Sequence, residues 1–408
     1  MSGSPAPAPL PTDPSREAWI VAAKRTPFGA FGGALKDVKA TDLAVTAATA
    51  AIAQSGVAAA DFDQVIFGCV AQTTPEDVYC ARHVGLKAGL PVSVPALTVN
   101  RLCGSGFQAL VSAAQEIRTG EADVCLVGGT ESMSLAPHVV RGARWGLAFG
   151  KSPPFEDLLW TTLTDTYAGC SMGETAENVA ERFGITRAAA DAYALGSQRR
   201  WAAADKAGWF EDELAAVDVK TKRGMVRFAR DEHPRPETTA EGLAKLAPVF
   251  RPGGTVTAGT ASGISDGAAA LVVVSRRYAE AHHLRPLGRL QGWGIAGVEP
   301  KLMGLGPVPA IRAALARTDL TLDHIGLFEV NEAFAPQVLA VLRGWGWDER
   351  DRLNVNGSGI SLGHPIGATG GRILANLLRE LKRQGGKYGL ETMCIGGGQG
   401  IAAIFESA

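Results

Sequence analysis

Twice along the chain a glycine-opened helix runs into a strand that ends in glycines. GFQALVSAAQEI leads to VCLVGG at Cys125, and GRILANLLRELK leads to TMCIGGG at Cys394. A unit of this kind cannot bury its apolar face alone, so a second copy points to an internal duplication whose halves pack together. Around the first copy, WIVAAKRTP, TDLAVTAATAAIAQSG and DQVIFGCV continue the alternation of β-rich and helical stretches. That alternation predicts a layered α/β fold with helices on a largely parallel sheet. Between the copies, residues 136–263 change texture, with RGARWG, KSPPFEDLLW and FARDEHPRPETT in place of alternating elements. The change reads as a large insertion, a lid or binding domain.

With 408 residues, 46% of them hydrophobic, the chain can build two or three compact units. A formal net charge of -1 with scattered basic residues leaves no electrostatic footprint for nucleic acid. No run of 18 apolar residues predicts a membrane span. The cysteines at 69, 80, 103, 125, 170 and 394 form no CxxC pair, which suits free thiols in a reducing, cytoplasmic compartment. Residues 1–17, rich in Pro, Ala and Ser, read as a loose tail rather than a secretory or transit segment. In a eukaryote the expected compartment would be the mitochondrial matrix.

Four motifs that invite a functional reading do not carry one. GLAFGKS at 146–152 has the wrong glycine spacing for a phosphate loop, and GGGQGIA at 396–402 the wrong spacing for a dinucleotide fingerprint. GISLG fits a serine-hydrolase elbow around Ser361, yet HPIGATGG follows where a helix should begin. The seven histidines lack metal-site spacing, and His282-His283 reads as a solvated pair, so no metal is implied.

Four segments remain, each placing a reactive side chain at a strand end or a glycine turn: Cys103 in NRLCGSG, Asn331 in EVNEAFAPQ, His364 in SLGHPIGATGG and Cys394 in ETMCIGGGQG. Phe107, Leu110, Val111, Ala114 and Ile117 mark one helical face, so Cys103 should lie at the positive end of a helix. There a thiol pKa is expected to fall and the thiolate to form. Each residue also has a plainer reading. Cysteine is often a small core residue, Asn331 could cap the helix after it, and His364 before Pro365 could be a turn residue. Together they make a set of nucleophile, base, acid and orienter.

In this order and spacing the segments resemble the thiolase family, whose members make or break the carbon–carbon bond of 3-ketoacyl-CoA thioesters. VAAKRTPFGAFGG, GGTESMS, SMGETAENVAERFGI, GTVTAGTASGISDGAAA and GPVPA extend the likeness over nearly the whole chain after the tail. It is strongest to 3-ketoacyl-CoA thiolases of mitochondrial type, with acetoacetyl-CoA-forming thiolases close behind. The implied fold is two similar five-stranded mixed-sheet halves in an αβαβα layering. They would cover 18–135 plus 264–286 and 287–408, with 136–263 as a loop domain that binds coenzyme A.

The resemblance implies that Cys103 is acylated, His364 takes its proton, and Cys394 exchanges the proton of the acetyl carbon. One oxyanion hole would be His364 with a water held by Asn331, the other the N–H groups of Cys103 and Gly396. Met172 would line the thioester end, Arg235 would meet the nucleotide, Ala258, Ser262 and Gly263 would touch pantetheine, and Phe334 would wall the pocket. Coenzyme A enters as co-substrate, no cofactor is held permanently, and a homotetramer is implied. Cys394 argues against a decarboxylating ketosynthase, which would pair one cysteine with two histidines or with histidine and asparagine. A non-catalytic acyl-CoA binder would hold the thioester without turnover.

Two departures stand out. Short-chain biosynthetic members carry histidine where this chain has Ser171, which predicts room for an acyl tail beside Met172. Most relatives have Gly-Gly-Ala where this chain has Gly357-Ser358-Gly359.

Overall fold

The computed structural model describes residues 13–348 and 350–408. The first half supplies strands β1 (Ala18–Arg25), β2 (Gln64–Gly68), β3 (Ala96–Val99), β4 (Val124–Ser132) and β5 (Ser265–Ser275). The second half supplies β6 (Gly288–Gly297), β7 (Leu327–Val330), β8 (Tyr388–Ile395) and β9 (Gln399–Ser407). Every residue of β4 and β5 is buried, as the unbroken small and apolar runs VCLVGGTES and SDGAAALVVVS require of strands covered on both faces.

The strands run in the order β7-β8-β9-β6-β1-β5-β4-β2-β3, with the two-residue strand Gly29–Ala30 on β5. The duplication is visible in the pairing. β1–β5 and β5–β4 are antiparallel and β4–β2 parallel; β6–β9 and β9–β8 are antiparallel and β8–β7 parallel. Two details differ from the expected pair of five-stranded sheets. β1 and β6 pair through Trp19–Arg289 and Ile20–Gly288, so the halves share one continuous sheet. Where the first half has β3, the second has a one-residue parallel bridge, Phe328–Leu353. The chain at Asn354 turns away in a left-handed conformation, so that edge does not extend.

Helices α1 (Ala40–Ser55) and α2 (Cys80–Lys87) cover one outer face, packing Leu43, Ala47 and Val84 on Val65, Leu126 and Val272. Helix α3 (Ser105–Thr119) lies inside. Within the insertion, α4 (Met172–Phe183) begins at a capping box of Ser171 and Glu174, and α5 (Arg187–Lys206) follows. The second half adds α6 (Pro307–Leu315), α7 (Ala335–Trp345) and the inner helix α8 (Thr369–Gln384). The inner helices share one core: Phe107, Leu110 and Ile117 of α3 and Ile373, Leu377 and Leu381 of α8 meet Val127, Leu271, Met393, Ile401 and Phe405. Fully burying each such side chain contributes about 1.5–3 kcal/mol, so this middle layer carries much of the fold.

The insertion does not stand apart as a separate unit. Tyr193, Ala194 and Leu195 of α5 join the outer core of the second half, with Ile311, Val338 and Leu342. Val217 and Val219, on a hairpin strand of the insertion, join the outer core of the first half. The expected loose tail lies largely outside the described residues. At its end, residues 14–16 form a single 3-10 turn capped by Asp13, and Arg16 donates to the Ile117 carbonyl. Among the described residues no helix is long and apolar enough to cross a membrane.

The halves meet most closely through glycines. A Cβ on Gly129 would lie 1.9 Å from the carbonyl oxygen of Gly367, one on Gly106 2.5 Å from the same oxygen, and one on Gly367 2.4 Å from the Thr130 carbonyl. Backbone stands on both sides, so no flexible side chain can yield. Gly129→Ala should therefore cost about 1–3 kcal/mol or more of unfolding free energy in urea. Gly196→Ala, inside α5 with nothing within 4 Å of the added carbon, should leave stability unchanged or raise it by up to about 1 kcal/mol. Equal effects from both would refute the glycine contact as the clamp between the halves.

Candidate active site

Cys103 sits in a tight turn between β3 and α3. Asn100 Oδ1 accepts from the Leu102 N–H at 2.9 Å, and the N–H groups of Gly104 and Ser105 return to the carbonyls of Arg101 and Leu102. Ser105 Oγ accepts from the Arg101 N–H and donates to the Leu102 carbonyl, locking the turn from inside the helix. Leu102 is held at φ 47°, a left-handed conformation costly for a leucine and typical of functional turns. The turn presents the Cys103 sulfur to two N–H groups, its own and that of Gly396.

The expected thiolate does not form at rest. Burial pushes the Cys103 thiol up to about 11, and the two N–H groups offset only part of that rise. Its neighbours are apolar: Val70, Met133, Leu159 and Ile366. Desolvation outweighs the helix end here, because the charged form loses more in leaving water than the N–H dipoles return. The resting residue is a thiol and needs a base.

His364 supplies one. Gly363, at φ 93°, makes the turn before it, and the His364 N–H donates to the Gly263 carbonyl. The Thr369 hydroxyl donates to the Pro365 carbonyl at 2.9 Å and lies 2.6 Å from His364 Nδ1. With its proton so committed, that hydroxyl can only accept, which assigns the hydrogen to Nδ1 and makes Nε2 the acceptor nitrogen. Nε2 faces the Asn331 amide nitrogen at 3.4 Å. Burial, with the nearby Arg372 charge, lowers the imidazole to about 3, so it rests neutral.

Asn331 is not a helix cap. Helix α7 begins at Ala335, and its cap position is Phe334, which makes no side-chain cap bond. Asn331 ends β7 through its N–H to Thr392, is fully buried, and among the described residues has no partner for Oδ1. Glu332 stiffens this strand end from behind. Its carboxylate accepts from Tyr193, Ser197, Asn354 and the Ile360 N–H, which join the insertion to the loop before His364. Ser361 is part of that packing: it is buried and bonds to Ser197 Oγ and the Ser358 carbonyl, so it offers no nucleophile.

Cys394 lies fully buried near the end of β8, its thiol raised by burial and then by the neighbouring Cys103. It packs with Met303, Ala333 and Phe334, and Met172, Phe250 and Ala261 close the cluster. A Cβ on Gly396 would lie 3.1 Å from Leu102 and 3.3 Å from Met172 Sδ, so this glycine brings the Cys103 turn, the Cys394 strand and the Met172 helix together. Phe334 stands edge-on to Phe250 at 6.4 Å. Residues 261–263 run beside it: Ala261 bridges to Phe334 and the Ser262 N–H donates to Ala333. Gly263 has the His233 ring where a side chain would be.

Two of the expected binding residues stand apart from this cluster. Ala258 is exposed, and Arg235 is exposed with Nη1 turned back onto the carbonyls of Glu232, His233 and Pro234. The argument from Ser171 also changes. Its hydroxyl bonds within the capping box at the start of α4, so it also serves the helix. Thr369, Glu332 and Glu131 were missed from sequence. Their only signal is adjacency to GHP, Asn331 and the Gly128-Gly129 strand end.

The chain matches the family model for the thiolase N-terminal domain over residues 18–277 and that for the C-terminal domain over residues 284–407. It is 53% identical to human mitochondrial 3-ketoacyl-CoA thiolase over 392 residues, covering 96% of this chain and 98% of that protein. It is 50% identical to the β-ketothiolase BktB of Cupriavidus necator over 96% of this chain and 99% of that one. The crystal structure of human mitochondrial 3-ketoacyl-CoA thiolase superimposes with a TM-score of 0.94 at 52% identity, over 97% of this chain and 100% of that one. The same human enzyme in complex with CoA gives 0.93 at 51% identity, over 97% and 99%. Sequence and fold agree, and the chain belongs to the thiolase family, a family of acyltransferases.

Proposed function

We propose that this protein cleaves 3-ketoacyl-CoA with coenzyme A to acetyl-CoA and a shortened acyl-CoA, reversibly, through an acyl group on Cys103. The observation that carries the reading is the Cys103 sulfur facing two N–H groups, with Cys394 beside it and the acceptor Nε2 of His364 in the adjoining loop. His364 Nε2 takes the Cys103 proton as the sulfur attacks the 3-keto carbon. The bond between C2 and C3 then breaks, its electron pair leaving as the acetyl-CoA enolate, and Cys394 delivers a proton to that carbon. The acyl group stays on Cys103 until the coenzyme A thiol attacks the thioester and returns the cysteine.

Charge develops on oxygen twice. The N–H groups of Cys103 and Gly396 suit the oxyanion on the acylated carbon, and His364 with Asn331 suits the enolate oxygen. Such donors stabilise a transition state by roughly 3 kcal/mol each. The resting site holds neutral thiols and a neutral imidazole, so ionic character arises only when substrate supplies the opposing charge. Met172 and Phe334 line the thioester end. Ala258, Ser262 and Gly263 take the pantetheine arm, with Arg235 farther out toward the nucleotide.

The proposed assembly is a homotetramer in the cytoplasm, or in the mitochondrial matrix in a eukaryote. Two surfaces support association. Strand β3 ends the sheet, with Leu97 44% exposed, and the insertion exposes Trp145 (87%), Leu147 (58%) and Phe155 (75%). Exposed sheet edges and large exposed apolar side chains are common at contact surfaces. Light scattering at micromolar concentration should give four chains, and a monomer would refute the assembly.

The chemistry is tested by separating the thiols. Cys103→Ser should form no acyl-enzyme, while Cys394→Ser should still take an acetyl group from acetyl-CoA yet fail to exchange its methyl protons with solvent. Loss of acetylation in both folded variants would overturn the roles. Thr369→Val should lower kcat on the order of tenfold to a hundredfold by freeing the imidazole tautomer, leave KM nearly unchanged, and be largely rescued by Thr369→Ser. An unaffected valine variant would remove Thr369 from the account.

A further inference from the structure

Glu131, at the end of β4, is a fully buried carboxylate with no part in the chemistry above. Its Oε1 accepts the Ala71 N–H at 2.9 Å, and its Oε2 accepts the N–H groups of Val70 at 3.2 Å and Gly367 at 3.0 Å. These amides belong to different halves. Val70 and Ala71 lie in the loop after β2, and Gly367 lies in the loop that carries His364. Ile366, the residue before Gly367, belongs to the apolar cluster against which both Val70 and Cys103 pack. Among the described residues Glu131 makes no ion pair, and the titratable groups around it are Asp77 and the thiols of Cys69 and Cys103. Asp77 is itself engaged at the far end of the same loop, accepting the N–H groups of Thr73 and Thr74.

We infer that Glu131 is a positioning residue for the acyl-transfer step, a carboxylate that joins the two halves and sets the Cys103 walls and the His364 loop in register. The inference rests on the thiolase reading of the site. A carboxylate can accept all three N–H groups. A glutamine would turn its amide donor toward at least one of them, and a protonated acid would place an unpartnered O–H among the three N–H groups, so the Gly367 peptide or the Val70–Ala71 loop would have to move. His364 is three residues from Gly367, so such a movement displaces the base relative to the thiol without touching the substrate pocket.

Burial raises this carboxyl to about 7, against a partial opposing effect of its three N–H donors. The sign has two consequences. Activity needs the ionised form and falls as pH drops below about 7. Stability does the reverse for this group: a folded pKa raised above the unfolded value of about 4.5 makes its contribution larger, not smaller, as pH falls from 7 toward 4.5.

The test uses full-length wild type, Glu131→Gln and Glu131→Asp. It compares acetylation of Cys103 by acetyl-CoA in a single turnover, steady-state thiolysis of acetoacetyl-CoA from pH 6 to 8.5, and melting temperature. Wild type should show an acid limb near pH 7; the glutamine variant should acetylate on the order of tenfold to a hundredfold more slowly, with KM within about threefold, and lack that limb. The aspartate variant should recover part of the rate and shift the limb. A glutamine variant with the wild-type rate and limb would overturn the inference, as would kcat, KM and melting temperature falling together with no rescue by aspartate. If the glutamine variant does not fold, the aspartate variant decides alone, and an unchanged rate and limb there overturn the inference. Wild type that forms no acetyl-Cys103 would instead strike the thiolase reading itself.

Discussion

The contact on which the site depends is the Gly367 carbonyl pressed against the Cα atoms of Gly106 and Gly129. One strand end, one inner helix and the His364 loop reach van der Waals distance there without a side chain between them. Gly106 is the second residue of the helix that follows Cys103, and Gly367 lies three residues after His364. The separation of nucleophile and base is thereby set by backbone against backbone, the least compressible contact a protein can make. The duplicated fold serves this contact, since each half contributes one inner helix and one loop, and the twofold likeness of the halves brings them together at the centre.

Burial then decides the electrostatics. A cysteine at a helix start would usually lean toward thiolate, and a histidine near neutrality toward mixed protonation. Here apolar walls raise Cys103 to about 11 and lower His364 to about 3, so both rest uncharged. The Nδ1 proton is fixed by Thr369, and two N–H groups already face the sulfur. The site therefore stores orientation rather than charge, and a reacting carbonyl meets dipoles that need no rearrangement.

The Gly357-Ser358-Gly359 departure acquires a physical account. Gly357 adopts φ 76°, and a Cβ there would lie 2.4 Å from Ser361 Oγ, so glycine is required. Ser358 gives the buried Arg372 an acceptor at 3.1 Å, and that cation is one of the two causes that keep His364 neutral. At Gly359 an added Cβ would lie 2.8 Å from the Glu332 carbonyl and 3.0 Å from Asn331 Oδ1. Ser358 thus holds the arginine, and Gly359 leaves Asn331 its place.

Local pattern in the sequence determined the α/β alternation, the helix after Cys103, the repeat of helix and glycine-ended strand, and the candidate status of Cys103, Asn331, His364 and Cys394. Those features depend on residues close together in the chain, where periodicity and turn chemistry act directly. Tertiary structure decided the rest, because each remaining question turned on what packs against a residue from far away. It joined the halves through β1 and β6, reduced the fifth strand of the second half to one bridge, and spread the insertion over both outer cores. It turned Ser171 into a helix cap and Asn331 into a strand end rather than a cap. It also reversed the expected Cys103 ionisation, since a helix start is written locally, whereas Val70, Met133, Leu159 and Ile366 gather around the thiol only when the chain has folded.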